Sequence, residues 1–348
     1  MKHMKKSLKD ILFLPFTYLS AVWLRKVREN ISAMKRSKRA LMKVGVFPIL
    51  DRYWEPLFNP KHLRHPLDQD RNLPGIDFNI KEQLDLLGRF HFNDELAKFP
   101  LEKTDRTEFY YHNGAFEPGD AEYLYNMIRL FKPKNLVEIG SGNSTLMAIN
   151  AINANKAEDP NYSCEHICIE PYECPWLEQL PVKVIRGVVE SVDKSIFLKL
   201  ERNDILFIDS SHVIRPQGDV LVEYLEILPV LKPAVIVHIH DIFTPKDYPD
   251  QLLFEEVRFW NEQYLLEALL TFNTKYKVIA SLNHLKHKYF KEISAKCPAL
   301  KDEPHREPGS FYIIKQPSPA DAPSRSQTLD IPCFWLYNIG HTARSTDV

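Results

Sequence analysis

Residues 135–145 read NLVEIGSGNST and carry the clearest signal of secondary structure in the sequence. The apolar run 135–139 predicts a buried strand. Two glycines follow at 140 and 142, where the absence of a Cβ lets the backbone approach a ligand closely. Ser144 and Thr145 can then cap the first turn of a helix. The stretch therefore predicts a strand, a glycine turn and a helix, with a ligand at the carboxyl end of the strand.

Short apolar runs alternate with helix-compatible stretches from residue 119 onward. Strands that are apolar at consecutive positions are typical of parallel sheets buried on both faces. We therefore expect an α/β fold: a doubly wound, mostly parallel, seven-stranded sheet with helices on both faces and an irregular N-terminal extension. The last two strands are expected to close the sheet as a pair. The predicted strands are 135–139, 166–170, 182–186, 205–209, 235–239, 275–280 and 311–314. The predicted helices include 144–154, 218–231 and 252–270.

The charge of the chain is uneven along its length. Overall, 45 Lys and Arg balance 46 Asp and Glu, which gives no general attraction to nucleic acid. Residues 1–45 nevertheless hold twelve basic and two acidic side chains. Within them, the apolar run 11–24 is too short to cross a membrane comfortably and is followed at once by Arg25 and Lys26 rather than by a cleavage site. We expect a basic amphipathic segment that lies on the inner, cytoplasmic face of a membrane, with a helix packed on its own domain as the alternative.

Two further segments flank the α/β region. Residues 46–118 are rich in aromatics, prolines and histidines without a sustained period, and they predict an irregular covering or lid region. Residues 316–348 form a predicted Pro/Ser linker and C-terminal tail. The five cysteines are odd in number and include no C-x-x-C pair, which favours free thiols in a reducing compartment.

The glycine turn narrows the class of ligand. A dinucleotide fingerprint would need glycine at 145, where the chain has Thr145, and no Gly-Lys-Ser/Thr phosphate loop is present in the sequence. An acid at the end of the strand, Glu138, suits a ligand with positive charge. The ammonium and sulfonium groups of S-adenosylmethionine (SAM) both qualify.

At this point the chain resembles the class I SAM-dependent methyltransferases. VEIGSGNST resembles their first motif, with Glu138 in the acidic position, and CIEPYE resembles their second. The resemblance covers about residues 115–315, assigns 119–315 as a methyltransferase domain, and implies that Glu170 holds the ribose hydroxyls. The predicted cofactor-binding residues are Glu138, Gly140, Ser141, Gly142, Glu170 and Asp209.

A second group of polar side chains follows the next two strands. ILFIDSSH places Asp209 and His212 after one strand, and HIHD places His240 and Asp241 after the next. Neighbouring strands lie about 4.8 Å apart, so these acids and imidazoles are expected to face one crevice. Methyl transfer to oxygen needs alignment of donor and acceptor, and a neutral hydroxyl also needs a base, which a histidine can supply.

The same residues resemble the macrocin-type sugar O-methyltransferases. That resemblance implies that Asp209 and Asp241 hold a divalent metal such as Mg²⁺ and that His212 is the general base. Metal-free catalysis by His212 or His240 stays open, as does a purely structural role in hydrogen bonding at the strand ends. The predicted catalytic residues are His212, His240 and Asp241.

The predicted function is SAM-dependent methyl transfer to a hydroxyl of a saccharide, such as a polysaccharide unit, or of another polar small molecule. The expected partners are a small-molecule or glycan acceptor and a membrane surface, without nucleic acid. Two alternatives remain: a non-catalytic SAM-fold subunit of a membrane-associated glycan-synthesis complex, and an N-methyltransferase. Dependence on iron and 2-oxoglutarate would instead indicate an oxygenase.

Overall fold

The computed structural model describes residues 2–105, 107–172 and 174–317, without the side chains of residues 2–8. Apart from Gln316 and Pro317, the predicted tail 316–348 lies outside the described residues.

The described residues form one seven-stranded sheet, in the spatial order β3-β2-β1-β4-β5-β7-β6. β7 is antiparallel to both of its neighbours, and the other pairs are parallel. This confirms the predicted fold class. The strands are β1 (Asn135–Ile139), β2 (Glu165–Ile169), β3 (Lys183–Ile185), β4 (Ile205–Ile208), β5 (Ile236–Ile239), β6 (Tyr276–Ser281) and β7 (Phe311–Lys315).

Helices cover both faces of the sheet and extend the chain at its N-terminal side. The α-helices are α1 (Lys2–Glu29), α2 (Lys35–Val44), α3 (Ile80–Gly88), α4 (Asn93–Leu96), α5 (Asp120–Phe131), α6 (Asn143–Glu158), α7 (Ser195–Leu198), α8 (Asp219–Val222), α9 (Glu262–Leu270), α10 (Leu282–Lys288), α11 (Phe290–Ser294) and α12 (Pro298–Asp302). Short 3₁₀ turns occupy Pro60–His62, Leu177–Gln179, Val189–Ser191 and Leu228–Val230, and π turns occupy Glu223–Ile227 and Gln251–Glu255.

Successive side chains of the central strands enter two different cores. Leu136 and Phe207 belong to the core beneath α5 and α6, whereas Val137 and Leu206 belong to the core on the opposite face. The alternation follows from the pleat of a strand, in which neighbouring Cβ atoms point to opposite faces. Both faces are apolar, so β1 and β4 have the consecutive apolar residues that the sequence shows.

One buried carboxylate ties the start of β1 to the start of β4. Asp204 accepts hydrogen bonds from the backbone N–H groups of Lys134 and Asn135 at 2.9 and 2.8 Å, and from the Asn135 side chain at 2.8 Å. It is 1% exposed. The register of the two central strands is therefore fixed at their amino ends, and their carboxyl ends emerge side by side.

The helix predicted over 252–270 is broken in the structure. A π turn covers Gln251–Glu255, and α9 begins only at Glu262. The backbone N–H of Asn261 donates to the carbonyl of His212 at 2.9 Å, and the Asn261 side chain accepts from the N–H of Ile214 at 2.6 Å. These contacts hold the start of α9 against the loop after β4, so the segment before it cannot continue the helix. The predicted helix 218–231 also divides, into α8 followed by a π and a 3₁₀ turn.

The predicted covering region, 46–118, has two parts. Most of residues 46–79 is irregular, apart from one 3₁₀ turn, whereas α3, α4 and the chain up to Phe116 supply buried side chains to the core beneath α5. Leu87, Phe90 and Leu96 are almost completely buried there. The second part is therefore integral to the α/β unit.

The N-terminal helix α1 joins this extension through its last turn. Arg28 pairs with Glu55 at 3.3 Å, and Arg52 pairs with Glu29 at 3.3 Å. Further toward the amino end, α1 exposes large apolar side chains. In the part of the chain that is described, no helix combines the length and apolarity needed to cross a membrane.

Candidate active site

The glycine turn after β1 packs directly against the end of β4. Gly140 has φ +79°, and a Cβ built there would lie 1.8 Å from the backbone oxygen of Asp209. The N–H of Asp209 donates to the carbonyl of Ile139 at 2.8 Å, which holds the two chain segments together. Only glycine fits this position, because both the backbone conformation and the available space exclude a side chain.

Glu138 supports the glycine turn from beneath. It is completely buried. Thr145 Oγ1 donates to Glu138 Oε2 at 2.5 Å and accepts from the N–H of Gly142 at 3.1 Å. His166 Nε2 lies 3.0 Å from the same carboxylate oxygen. The Glu138 carboxylate therefore contacts Thr145 and His166 through one oxygen, and its part in binding the cofactor stays a prediction.

Glu170 follows the end of β2 and lies beside the same turn. Its carboxylate accepts from the N–H of Ser141 at 3.3 Å and from the N–H of Tyr172 at 2.9 Å. Arg186 donates to the Glu170 carbonyl at 3.1 Å. The structure therefore brings Ser141 and Glu170 together, as the predicted cofactor site requires, although β2 comes about 30 residues after β1.

The predicted catalytic and metal-binding residues converge at the carboxyl ends of β4 and β5. His212 Nε2 lies 3.2 Å from Asp209 Oδ1 and 3.5 Å from Asp241 Oδ2. His240 Nδ1 lies 3.4 Å from Asp209 Oδ1 and 3.8 Å from Asp241 Oδ1. Because Asp209 also carries the backbone oxygen that contacts Gly140, this cluster adjoins the glycine turn.

Two residues of this cluster have an uncommon backbone conformation. His212 has φ +59° and Asp241 has φ +57°. Non-glycine residues with positive φ are infrequent, and such strained positions are concentrated at functional sites. Their side chains face each other, with His212 Nε2 3.5 Å from Asp241 Oδ2.

Two further acids complete the cluster and were not predicted. Glu262, fully buried at the start of α9, lies with Oε2 2.8 Å from His212 Nδ1, and Tyr224 donates to its other oxygen at 3.0 Å. Asp120, at the start of α5, lies with Oδ2 3.6 Å from His240 Nε2. Each imidazole therefore lies between carboxylates. No local spacing connects these acids to the histidines, so the sequence carried no signal for them.

The carboxylates determine the protonation of both imidazoles. Burial alone would lower the pKa of His212, but hydrogen bonds to Asp209 and Glu262 outweigh it and hold this pKa well above 6.5. Likewise, burial opposes the charge on His240, and the carboxylates of Asp241 and Asp209 raise its pKa well above 6.5. Both shifts favour the protonated imidazole, so a base role requires that the proton first be lost.

The two aspartates of the cluster differ in their acidity. Burial opposes ionisation of Asp209, but His240 and His212 outweigh it and lower its pKa. Burial raises the pKa of Asp241, and the nearby charge of Asp209 adds to the shift. Repulsion between two carboxylates of this kind is what a cation relieves.

Asp209, His240 and Asp241 fit a divalent cation. One ligand atom from each lies within 4.8 Å of the other two, and the aspartate side chains are 33% and 25% exposed. Carboxylate oxygens suit hard ions such as Mg²⁺, and an imidazole also suits Mn²⁺ or Zn²⁺. The structure thus adds His240 to the predicted metal ligands Asp209 and Asp241.

Comparison with known proteins identifies the class. The model of a methyltransferase domain family (Methyltransf_24) matches residues 137–242, which run from β1 to just beyond Asp241. Together with the order of the strands and the single reversed strand β7, this match places the chain in the class I SAM-dependent methyltransferases. The chain also belongs to the same family as a protein of Archaeoglobus fulgidus described as an uncharacterized protein. The two are 31% identical over 196 residues, which is 52% of this chain and 86% of the other.

Several solved structures show a more distant likeness. An O-methyltransferase from Bacillus cereus in complex with SAH is 11% identical, with 68% of this chain and 91% of that chain covered and a TM-score of 0.35. The O-methyltransferase TomG from Streptomyces achromogenes, in complex with SAM, is 11% identical, with 70% and 92% covered and a TM-score of 0.32. MycE methyltransferase with Mg, SAH and mycinamycin VI is 11% identical, with 56% and 48% covered and a TM-score of 0.32. At these sequence identities and TM-scores, the ligands of these structures do not indicate the substrate or metal of the present chain.

Proposed function

We propose that this chain transfers the methyl group of SAM to a hydroxyl group of a saccharide or another polar small molecule. The observation that carries the proposal is the convergence of Asp209, His212, His240 and Asp241 beside Gly140. A hydroxyl acceptor must be aligned with the donor methyl and must lose its proton, and this cluster offers groups for both tasks next to the glycine turn.

The cofactor site combines the glycine turn with the end of β2. Gly140, Ser141 and Gly142 allow the backbone to approach SAM, which supplies an electrophilic methyl group on its sulfonium. Glu170, which accepts from the N–H of Ser141, is the proposed acceptor of hydrogen bonds from the ribose hydroxyls. Glu138 acts through Thr145 and positions the turn.

His212 is the proposed general base. Glu262 fixes Nδ1 and thereby directs Nε2 toward Asp209 and Asp241, at the mouth of the site. Once Nε2 has lost its proton, it can accept the proton of the acceptor hydroxyl. Asp120 holds His240 on the other side of Asp209 in the same way. A divalent ion held by Asp209, Asp241 and His240 would supply positive charge that orients the acceptor oxygen and favours its deprotonation.

Calorimetry followed by turnover assays tests this proposal. We expect SAM and S-adenosylhomocysteine to bind with micromolar affinity and Asp241→Asn to reduce turnover more than SAM binding. His212→Ala should lower turnover by about 10²-fold or more. Near-normal turnover of His212→Ala would refute its role as base, and insensitivity to EDTA would refute the metal.

The same assays separate the alternatives. SAM binding without turnover on any acceptor, in unbiased mass spectrometry of metabolites, would favour a non-catalytic SAM-fold subunit. A product methylated on nitrogen would establish an N-methyltransferase. The paired acids and imidazoles favour catalysis, since a binding subunit does not require them.

We also propose that α1 lies on the cytoplasmic face of a membrane. Large apolar side chains of its middle part are exposed, among them Ile11 at 66%, Phe16 at 68% and Leu19 at 67%. Basic residues of α2 follow close behind, and anionic headgroups attract such clusters. Deletion of residues 1–30 should abolish co-sedimentation with anionic vesicles, and unchanged co-sedimentation would refute the idea.

A further inference from the structure

A large cavity adjoins the candidate base without including the glycine turn. Its volume is about 760 Å³, and its walls are formed by residues 56–72 and by residues between 247 and 264. Small-molecule sites commonly measure roughly 300–1,000 Å³. We call residues 56–72 the first wall and the lining residues between 247 and 264 the second wall, to which Trp260 and Asn261 belong. The ring of Trp260 lies 4.4 Å from that of His212, centroid to centroid, and Asn261 donates its N–H to the His212 carbonyl.

The cavity therefore shares a wall with the cluster that would remove the acceptor proton. Its lining also includes several aromatic rings, from Phe58 in the first wall to Tyr264 in the second. Phe58 stacks on Phe254 at 5.8 Å, and Tyr264 donates to Asp247 at 3.0 Å. Rings held in place this way present fixed apolar faces between polar groups, the usual composition of a small-molecule site.

The cavity wall has an arginine without a carboxylate partner in the described part of the chain, whereas its acids are paired, and this favours an anionic ligand. Asp70 and Asp247 are its two acids, and each is already paired, with Lys288 at 2.9 Å and with Arg71 at 3.2 Å. Arg64 also lines the cavity and is exposed, and among the described residues no carboxylate lies within ion-pair distance of it. An arginine fork binds phosphate and carboxylate groups well.

We propose that this cavity binds the methyl acceptor, and that the acceptor is a saccharide that carries a phosphate or carboxylate group bound by Arg64. This inference rests on the proposed methyl transfer. Sugar rings fit the aromatic walls, the anionic group meets Arg64, and a hydroxyl reaches toward His212 past Trp260. The first wall begins at Pro56, directly after Glu55, which pairs with Arg28 at the end of α1. A saccharide attached to a lipid through a phosphate and a soluble sugar phosphate share this chemistry.

Titration calorimetry on the full chain, saturated with S-adenosylhomocysteine, tests the inference. The probes are glucose, glucose 1-phosphate and glucuronate, together with phosphatidylcholine vesicles prepared with and without phosphatidylinositol. The variant is Arg64→Ala. The matched control is Arg202→Ala, which removes another exposed arginine that has no ion-pair partner among the described residues and does not line the cavity.

We expect glucose 1-phosphate or glucuronate to bind about tenfold or more tightly than glucose, because of the charge-assisted hydrogen bonds. Arg64→Ala should remove this preference and Arg202→Ala should keep it. An Arg64-dependent preference for the phosphatidylinositol vesicles over the free sugar phosphate identifies a lipid-linked source, and the reverse identifies a soluble one. Equal affinities for charged and neutral sugars, or equal losses in the two variants, would overturn the inference.

Binding of the cofactor in the same samples separates this inference from the proposed function. Normal binding of S-adenosylhomocysteine without an Arg64-dependent preference overturns the anionic acceptor alone. If the chain binds neither SAM nor S-adenosylhomocysteine at the step meant to saturate it, the proposed function has failed. An Arg64-dependent preference in that chain then overturns the assignment of the cavity to a methyl acceptor.

Discussion

Replacement of Gly140 by alanine tests the contact on which the candidate site depends. The new Cβ would lie 1.8 Å from the Asp209 backbone oxygen and 2.8 Å from its carbonyl carbon, whereas real Cβ atoms essentially never approach closer than 3.0 Å. The Asp209 carbonyl must therefore retreat by more than about 1 Å, since contacts this short are strongly repulsive. The side chain that contacts His212 and His240 moves with it.

The magnitude has two parts that a control can separate. Alanine in the left-handed conformation costs roughly 1–2 kcal/mol. The overlap with Asp209 adds about 1–3 kcal/mol, as insertion of atoms into a packed region does. Gly114 has φ +77° and no atom within 4 Å of its built Cβ, so Gly114→Ala measures the first part alone. A displacement of about 1 Å in a catalytic group can lower turnover by about 10²-fold.

Urea unfolding and calorimetry with SAM provide the assay. We expect Gly140→Ala to lose more unfolding free energy than Gly114→Ala, by about 1–3 kcal/mol, and to lose most of its SAM affinity and turnover. Gly45→Ala, with φ +80° and open space around the built Cβ, offers a second control far from the site. Equal unfolding free energies and equal SAM affinities for Gly140→Ala and Gly114→Ala would refute the reasoning.

Three other substitutions address protonation and stability. Glu262→Gln removes the carboxylate 2.8 Å from His212 Nδ1, so the pKa of His212 should fall. The acidic limb of the pH profile of kcat/KM should then move to lower pH. An unchanged limb would mean that this limb reports the titration of another group. Burial raises the pKa of Glu122 to about 7 from an ordinary 4.5. Between pH 4.5 and 7 the folded state therefore keeps the proton on Glu122, whereas the unfolded state loses it. The unfolding free energy in urea should fall by up to about 3 kcal/mol as pH rises across this range. Glu122→Gln should remove that slope, and a slope that persists in the variant would assign it elsewhere. Asp204→Ala leaves buried N–H groups at the start of β1 without acceptors and should lower the unfolding free energy in urea by about 2 kcal/mol or more. A loss below about 0.5 kcal/mol would mean that Asp204 does not stabilise the pairing of β1 with β4.

The strands were predictable because a buried parallel sheet imposes a strong local pattern. Apolar residues at consecutive positions locate β1, β4 and β5 within a residue of their observed bounds. The glycine turn was predictable for a related reason, since close packing at Gly140 permits no other residue type. Such signals are contained in a few neighbouring residues.

Contacts between distant segments were not predictable in the same way. Glu262 meets His212 across 50 residues, and Asp120 meets His240 across 120. The start of α9 was misplaced for the same reason, because the anchor of Asn261 on the His212 carbonyl is a tertiary contact that overrides a helix-compatible sequence. The protonation of the two histidines depends on these contacts and was therefore also hidden from the sequence.

The position of β7 has a consequence for how the chain is made. Although β7 is the last of the described strands in the chain, it lies between β5 and β6. Until residues 311–315 emerge from the ribosome, β5 and β6 cannot be joined, and each keeps an unpaired edge of the kind that recruits foreign strands. Translation order thus makes completion of the sheet a late event, and a nascent chain stalled before residue 311 keeps both strand edges exposed to aggregation.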